Sequence, residues 1–401
     1  MPAETKQRVI IVGAGPVGLV TANLLTDAGI AILLIETSEA LPRDLRASTF
    51  HPPTLDMLER FGVVGRMIEQ GLICPTWQFR DRSEGVIAQF ELVRLSPDTG
   101  HPYRLQCEQW RLGEMLFERL KSSALADVRL GTRAIVARQS ADGVELDIRL
   151  PDGSVETVAG KFLVGADGIG SIVRSAIGAQ FDGITIPELY LTLSTTYDFR
   201  EAMPDLSNIS YLSDPREWYV LIRTARVWRV LFPVDAALDD ADVTSPERGE
   251  RLLQGAVPHS QRYAVSHSTA YRVHERVAST YVKHRMAIAG DAAHVNNPLG
   301  GMGLNGGIHD AFNLAGKLIE IVHGAPLDTL ERYSRQRRKV ALAVVQQTAL
   351  RNRSILNTRE PEARKAYHDE LRSIVADPEK HRNFVMRTSM IQSLRDTEQV
   401  A

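Results

Sequence analysis

Hydrophobic and polar positions change their rhythm several times along this chain, and the first forty residues are the most legible. Val9-Ile10-Ile11-Val12 is a continuous β-branched run, the pattern of a parallel strand buried on both faces, and it stops at Gly13-Ala14-Gly15-Pro16-Val17-Gly18. Val17, Val20, Leu24 and Leu25 then recur at helical spacing until Asp27-Ala28-Gly29, after which Ile30 to Ile35 forms a second apolar strand. This is a β-α-β unit of about 30 residues.

From Thr37 to Pro53 the chain is rich in Ser, Pro, Arg and Asp, which predicts a loop, followed by a helix over Pro53 to Phe61. Trp77 to Leu105 mixes alternation with Pro and Gly, and Arg111 to Lys121 has helical spacing through Leu112, Leu116 and Leu120. Asp127 to Val158 predicts a meander of three strands containing Val128-Arg-Leu, Ala134-Ile-Val-Ala and Val144 to Leu150, turning at Asp142-Gly143 and Asp152-Gly153. Lys161 to Val164 is another strand running into Gly165-Ala166-Asp167-Gly168. Between Glu188 and Val273, alternating segments such as Trp218 to Arg223 and Val227 to Phe232 predict an antiparallel sheet forming a separate layer. Arg285 to Ala289 reads as a buried strand. A Gly-rich loop reaching Gly307 then leads to a long helix from about Ile308 to Val322, and the rest is helical and highly charged.

Composition narrows the function. With 47 Lys+Arg against 49 Asp+Glu, no basic excess exists to drive binding to phosphate backbones, so nucleic acid is not expected as a partner. Cys74 and Cys107 are too few for a zinc cluster or a disulfide framework, which fits a cytoplasmic protein. The polar N-terminus and the lack of any run near 18 apolar residues predict no membrane association. No G-x-S-x-G elbow, P-loop, H-E-x-x-H or C-x-x-C occurs, so hydrolase, kinase and metalloprotease readings lose their usual support, and no metal site is expected.

The Gly13 to Gly18 motif carries chemistry because of its setting. Gly13 allows the tight turn, Gly15 lets a pyrophosphate approach the backbone, and Gly18 lets helix and strand pack closely, with Pro16 and Val17 opening the helix that faces the phosphates. Glu36, at the end of the second strand, is placed to take the hydroxyls of an adenosine ribose. Gly301-Met-Gly-Leu-Asn-Gly306 also satisfies G-x-G-x-x-G without directly following a strand, so the spacing alone says little. Asp167 and Asp291 both follow short apolar strands, at the end where doubly wound sheets bind ligands, although each by itself reads equally as a turn-forming residue. The Gly-rich loop could present backbone N–H groups to an anion or an electron-rich heterocycle, or serve as a flexible lid. His294 reads as structural rather than as a base, and Arg335-Gln-Arg-Arg-Lys339 as a solvated helix face.

Three segments together carry a family resemblance. Gly13 to Gly18 with Glu36, Gly165-Ala-Asp-Gly-Ile-Gly-Ser-Ile-Val-Arg174, and Gly290-Asp-Ala-Ala-His294 running on to Asn313-Leu-Ala resemble the single-component FAD-dependent aromatic hydroxylases of the para-hydroxybenzoate hydroxylase class. Tyr271 to Arg276, Phe181-Asp-Gly-Ile and Asn297-Pro-Leu-Gly-Gly-Met-Gly-Leu are most similar to its para-nitrophenol 4-monooxygenase branch. The resemblance implies an α/β (α+β) architecture: a Rossmann-like FAD-binding domain (1–72, 102–180, 276–345), an inserted antiparallel substrate domain (73–101, 181–275) and a C-terminal helical segment (346–401). It implies that Gly13, Gly15, Gly18 and Glu36 hold the ADP half of FAD, Asp291 the ribityl chain, and the Gly303-Leu304-Asn305 backbone the pyrimidine edge. Asp167 and Gly168 would serve FAD and a visiting nicotinamide cofactor. Arg46 and Gln109 would lie near the flavin, and Pro298 would wall the site, where the family often has two prolines and this chain has Asn297-Pro298.

The reaction so implied uses NADH or NADPH to reduce the flavin and dioxygen added at its C4a position to hydroxylate a small phenolic or hydroxylated N-heteroaromatic ring. A ring substituent would be expelled if it occupied the attacked carbon. Catalytic candidates in or near the substrate sheet are His267, His274, Tyr211, Tyr219 and Arg223, with no base assigned. A dehydrogenase or reductase of the same fold, a flavin halogenase and a nucleotide-sensing regulator are the rivals. The chain is expected to be a monomer or a homodimer.

Overall fold

The computed structural model describes residues 7–43 and 47–401, without the side chains of 240, 344–346 and 348. Val9–Val12 is buried throughout, as its unbroken apolar run requires, and lies inside a six-stranded sheet between Ile32–Ile35 and Phe162–Gly165, parallel to both. Met286–Ile288 and Ala126–Arg129 extend the sheet in parallel on either side, and Val282–Lys283 closes one edge antiparallel. The register sets Val12 level with Ile35 and Gly165, and Gly165 level with Ile288. Gly13, Glu36, Ala166-Asp167 and Ala289-Gly290-Asp291 therefore leave the sheet along one edge, at the carboxyl ends of its strands.

Three sequence expectations need correction. Ala126–Arg129 belongs to this parallel sheet and not to the meander, which is Arg133–Gln139, Val144–Arg149 and Val155–Gly160. Each residue of Ala126–Arg129 is only half-buried, so this edge strand lacks the continuous apolar signature of its neighbours. The long helix starts at Met302 rather than Ile308. Its glycines make a packing surface instead of a loop: a Cβ on Gly307 would lie 2.7 Å from Val17 Cγ2, and one on Gly306 would lie 3.3 Å from the His294 ring. Within the run Arg335 to Lys339, Arg337 is 1% exposed, so the helix face it occupies points inward.

The second sheet has eight strands in the order His294–Val295, Val265–Ala278, Phe181–Thr195, Trp228–Asp235, Tyr219–Arg223, Ile209–Ser213, Thr76–Asp81 and Gly85–Glu91. All its pairings are antiparallel except that of Ile209–Ser213 with Thr76–Asp81. One face packs Tyr219, Leu221, Val230 and Phe232 with Leu252 and Leu253 of the helix Pro246–Ala256. The other buries Trp77, Phe90, Tyr211 and Val220 together with Leu356, Leu371, Val385 and Ile391 of the C-terminal helices. Ion pairs of Arg364 with Asp81, Arg372 with Glu84, and Arg382 and Arg395 with Asp98 fasten those helices to the sheet hairpin and the loop after it. Among the described residues no helix is long and apolar enough to cross a membrane.

A buried ionic knot joins the helix Met302–Val322 to Thr329–Val340. Asp310 accepts from Arg337 Nε at 2.6 Å, meets His294 Nε2 at 2.8 Å, and accepts from the Gly290 N–H at 3.1 Å. Arg337 also donates to the Gly306 carbonyl. His294 is structural, as its sequence context indicated. Burial opposes the charge on Asp310, but Arg337 and His294 outweigh it and hold the carboxyl down at about 2. An acid whose folded value lies below its unfolded one stabilises the fold above the unfolded value and loses that contribution as pH falls towards 2. Asp310→Ala leaves the Arg337 charge buried alone and should cost about 3–5 kcal/mol in thermal or denaturant unfolding at neutral pH, with the difference from the parent shrinking between about pH 4 and 2.

Candidate active site

At the carboxyl edge the first glycine motif is built as its spacing requires. Gly13 has φ +100°, and a Cβ there would lie 2.3 Å from the Ala166 carbonyl oxygen. A Cβ on Gly18 would lie 1.9 Å from the Gly13 oxygen, so helix and strand touch through bare backbone. Gly15 differs: nothing lies within 4 Å of where its Cβ would point. It caps the helix Pro16–Asp27, whose first turn has no side-chain cap and no acidic residue, so its first N–H groups are not taken by a capping side chain. Pro16 opens that helix, and Val17 is wedged against Gly290 and Gly307. Glu36 accepts from the Ala14 N–H at 2.8 Å and the Ser38 N–H at 2.9 Å, which fixes its carboxylate beside the turn. These residues fit a dinucleotide cofactor, with the open space at Gly15 as the room left for it.

Asp291 lies exposed on the same edge. Asp167 reaches that edge, but its oxygens accept from Ser171 Oγ at 2.5 Å and the Ile172 N–H at 2.8 Å, so it caps the helix Ile172–Ala176. Gly168 beside it has φ +73°. Gln109 starts the helix Gln109–Lys121 and donates its N–H to the Ala47 carbonyl, next to Arg46, which lies outside the described residues.

The turn before the long helix lies where the two sheets meet. Glu275, fully buried, accepts from both the backbone N–H of Asn297 (2.8 Å) and its side-chain amide (2.5 Å), and Asn297 Oδ1 accepts from the Leu299 N–H. Burial raises the Glu275 carboxyl to about 7. Pro298 is thus held from both sides by an arrangement that a second proline at 297 could not make, since proline has no N–H. Gly300 and Gly301 both have positive φ, and Gly301 opens the helix Met302–Val322 without a side-chain cap. Gly303 and Leu304 are partly exposed in its first turn. The Asn305 side chain is occupied: it accepts from the His51 N–H and donates to the carbonyls of Thr49 and Gly301.

Beside this turn opens a narrow pocket of about 40 Å³, lined by Trp77, Phe90, Arg104, Tyr211, Gly300 and Met302, and on the far side by residues of the C-terminal helices including Phe384. Trp77, Phe90 and Phe384 stack, with ring centroids 4.2 Å apart for the first two and 4.6 Å for the last two. Tyr211 is the one sheet candidate that the fold delivers here, and its hydroxyl oxygen accepts from the Gly300 N–H at 3.0 Å. Cross-strand register explains why Tyr219 does not follow: it pairs with Leu212, Tyr211 pairs with Val220, and adjacent positions face opposite ways. Tyr219 is packed under the helix Pro246–Ala256 and donates to the Ala256 carbonyl. Arg223 shares its parity and lies over Trp228. His274 is bonded to Thr185, and His267 is exposed eight residues along the strand from Glu275. Sequence reasoning missed Trp77, Arg104 and the whole C-terminal wall.

A sequence model of the FAD binding domain family matches residues 6–348. The chain belongs to this family. It is 37% identical over 366 residues to the para-nitrophenol 4-monooxygenase of Pseudomonas sp. (strain WBC-3), covering 90% of each. It is 32% identical over 382 residues to the 6-hydroxy-3-succinoylpyridine 3-monooxygenase HspB of Pseudomonas putida, covering 94% of this chain and 96% of that one. The crystal structure of the p-nitrophenol 4-monooxygenase PnpA from Pseudomonas putida aligns with a TM-score of 0.89 at 32% identity, over 97% and 98% of the two chains. The protein is an FAD-dependent aromatic monooxygenase with NAD(P)H as reductant, the family to which its motifs pointed.

Two glycines of the motif separate folding from cofactor binding in this monooxygenase. Gly15→Ala, at φ −70° with open space around it, should leave unfolding of the FAD-free protein within about 0.5 kcal/mol of the parent. It should weaken FAD at least about tenfold in a fluorescence titration. Gly18→Ala should lower the stability of the FAD-free protein itself, because its Cβ has no room. Equal FAD affinity for Gly15→Ala and parent would remove Gly15 from the cofactor site.

Proposed function

We propose that the enzyme hydroxylates a small phenol or hydroxylated N-heteroaromatic ring held in the pocket lined by Trp77, Tyr211 and Gly300, next to the turn that carries Pro298. Where a substituent occupies the attacked carbon, it is released. The observation that carries this reading is a buried, aromatic-walled pocket adjoining the uncapped helix start at Gly301 and containing a few inward polar atoms. The names of the relatives agree, since they act on nitrophenol, a hydroxypyridine and, at 28% identity, pentachlorophenol. The first two match along nearly their whole length.

In this reading the six-stranded sheet with residues 1–72, 102–180 and 276–345 holds FAD, the segments 73–101 and 181–275 hold the ring, and residues 346–401 close the pocket. Gly13, Gly15, Pro16, Val17, Gly18 and Glu36 hold the ADP half, Asp291 the ribityl chain, and the backbone of Gly303, Leu304 and Asn305 the pyrimidine edge. Bound FAD, reduced by NAD(P)H, would activate dioxygen, one atom of which goes to the ring and the other to water. The protein binds the ring, excludes water and keeps the ring electron-rich. Tyr211 uses its oxygen to accept from Gly300, so its proton is available to the ring oxygen of the substrate. Burial raises the Tyr211 phenol above its ordinary value, so it stays protonated and donates. The stacked Trp77, Phe90 and Phe384 exclude water from the reacting atoms. Both cysteines are buried and unpaired, in keeping with a cytoplasmic enzyme that works as a monomer or homodimer.

The test is aerobic NADH and NADPH oxidation by FAD-loaded protein against phenols, hydroxybenzoates and hydroxypyridines under isotopically labelled dioxygen, with product masses recorded. The expected result is ring-stimulated oxidation and a product carrying one labelled oxygen. Tyr211→Phe, which removes a hydrogen bond to a charged oxygen worth about 1.5–3 kcal/mol, should lower kcat/KM by roughly 10- to 150-fold. A ring converted without label would make the protein a dehydrogenase of the same fold.

A further inference from the structure

We propose that Arg104 is the anion receptor of this pocket and that the enzyme selects phenols acidic enough to bind as phenolates. The inference deepens the substrate reading above and rests on the pocket being the substrate site.

Arg104 is 2% exposed, on the strand Arg104–Gln106 opposite Cys74, with its guanidinium over the Trp77 ring at 5.2 Å. One terminal nitrogen donates to the Thr388 carbonyl at 3.2 Å, and Nε has no hydrogen-bond partner. Among the described residues no carboxylate lies within ion-pair distance of it, whereas buried Arg337 has Asp310 and buried Arg80 has Asp205. The ionisable groups beside it are Tyr211, Cys74 and His51; burial pushes the first two upward, the thiol to about 12, and burial together with the Arg104 charge pushes His51 well down, so all three are neutral. A buried guanidinium without a counter-charge is costly, and an anion entering the pocket relieves that cost.

The rest of the lining identifies the anion. Trp77, Phe79, Phe90, Met302, Leu356 and Phe384 make flat apolar walls. Arg104 and Tyr211 line the same pocket and lie beside one another, and the unpartnered Arg104 Nε together with the Tyr211 hydroxyl can serve a single oxygen on the rim of an aromatic ring. A phenol acidified by nitro, halogen or acyl groups releases its proton to solvent at neutral pH and presents such an oxygen. This also raises its reactivity as a nucleophile, which links recognition to chemistry.

The experiment titrates FAD-loaded enzyme, without NAD(P)H, with para-nitrophenol, whose visible absorbance reports its ionisation. It then measures Kd for a series of para-substituted phenols and hydroxybenzoates at one pH. Bound para-nitrophenol should remain ionised at least about one pH unit below its solution pKa, and Kd should fall as phenol acidity rises. Arg104→Met should abolish the shift and raise KM for the acidic phenols about tenfold or more while changing weakly acidic ones little. Arg104→Lys should restore part of both. Neutral bound para-nitrophenol, or affinities indifferent to acidity in the unaltered enzyme, would overturn the proposal whether or not the variants fold. Tightest binding by weakly acidic phenols bearing a carboxylate would overturn it too, by making the carboxylate the recognised anion. Absence of ring-stimulated oxidation, with phenolates still bound, would sink the catalytic reading and leave the receptor standing.

Discussion

The structure depends on close approach of bare backbone at the carboxyl edge of the parallel sheet. A Cβ on Gly13 would strike Ala166, one on Gly18 would strike Gly13, and one on Gly290 or Gly307 would strike Val17. These contacts bring together three segments separated by well over a hundred residues in the chain. At Gly13 and Gly18 an added methyl group would have to move backbone, and at Gly290 and Gly307 it would have to displace the Val17 side chain, so the geometry of the cofactor edge is set by what its glycines lack. Gly15, with open space beside it, is the position in the motif where the same absence leaves room for a ligand.

Around that edge the polar groups are used to hold the chain in place. Asp310 ties Arg337, His294 and the Gly290 turn together, and Asn305 ties the Thr49–Phe50 strand to Gly301. Glu275 holds Asn297 in the turn that carries Pro298. Each clamp lies on a segment that leads into the pocket, so Gly300 meets Tyr211 and the uncapped helix start with little conformational freedom. Such preorganisation is what a site needs if it is to orient a ring and exclude water without supplying the oxidising power itself.

The parts of this architecture legible in the sequence are those with local signatures. The buried run Val9 to Val12, the glycines after it and Glu36 at the end of the next strand predicted a nucleotide edge, and the structure has their geometry. Parity along the sheet was not legible: Tyr211 and Tyr219 look alike in sequence, yet a difference of register sends one to the pocket and the other under a helix. Arg104 gave no signal, because a single arginine in a three-residue strand is ordinary until burial without a carboxylate is seen. The C-terminal helices read as merely charged. Their charges pair with the buried carboxylates of Asp81 and Asp98 and with exposed Glu84, while Leu356, Leu371, Phe384 and Val385 turn inward to face Trp77 and Phe90. That wall lies beyond the residues matched by the family model, whereas Trp77, Arg104, Tyr211 and Gly300 on the other side of the pocket lie within them.

The most direct test of this account is a crystal structure of the FAD-loaded enzyme with a non-turnover phenol bound. The account requires the dinucleotide along the Gly13, Glu36 and Asp291 edge, and the ring between Trp77 and the Pro298 turn with its oxygen within hydrogen-bond distance of Tyr211. A ring bound elsewhere, with the aromatic pocket closed and empty over a correctly seated flavin, would contradict it.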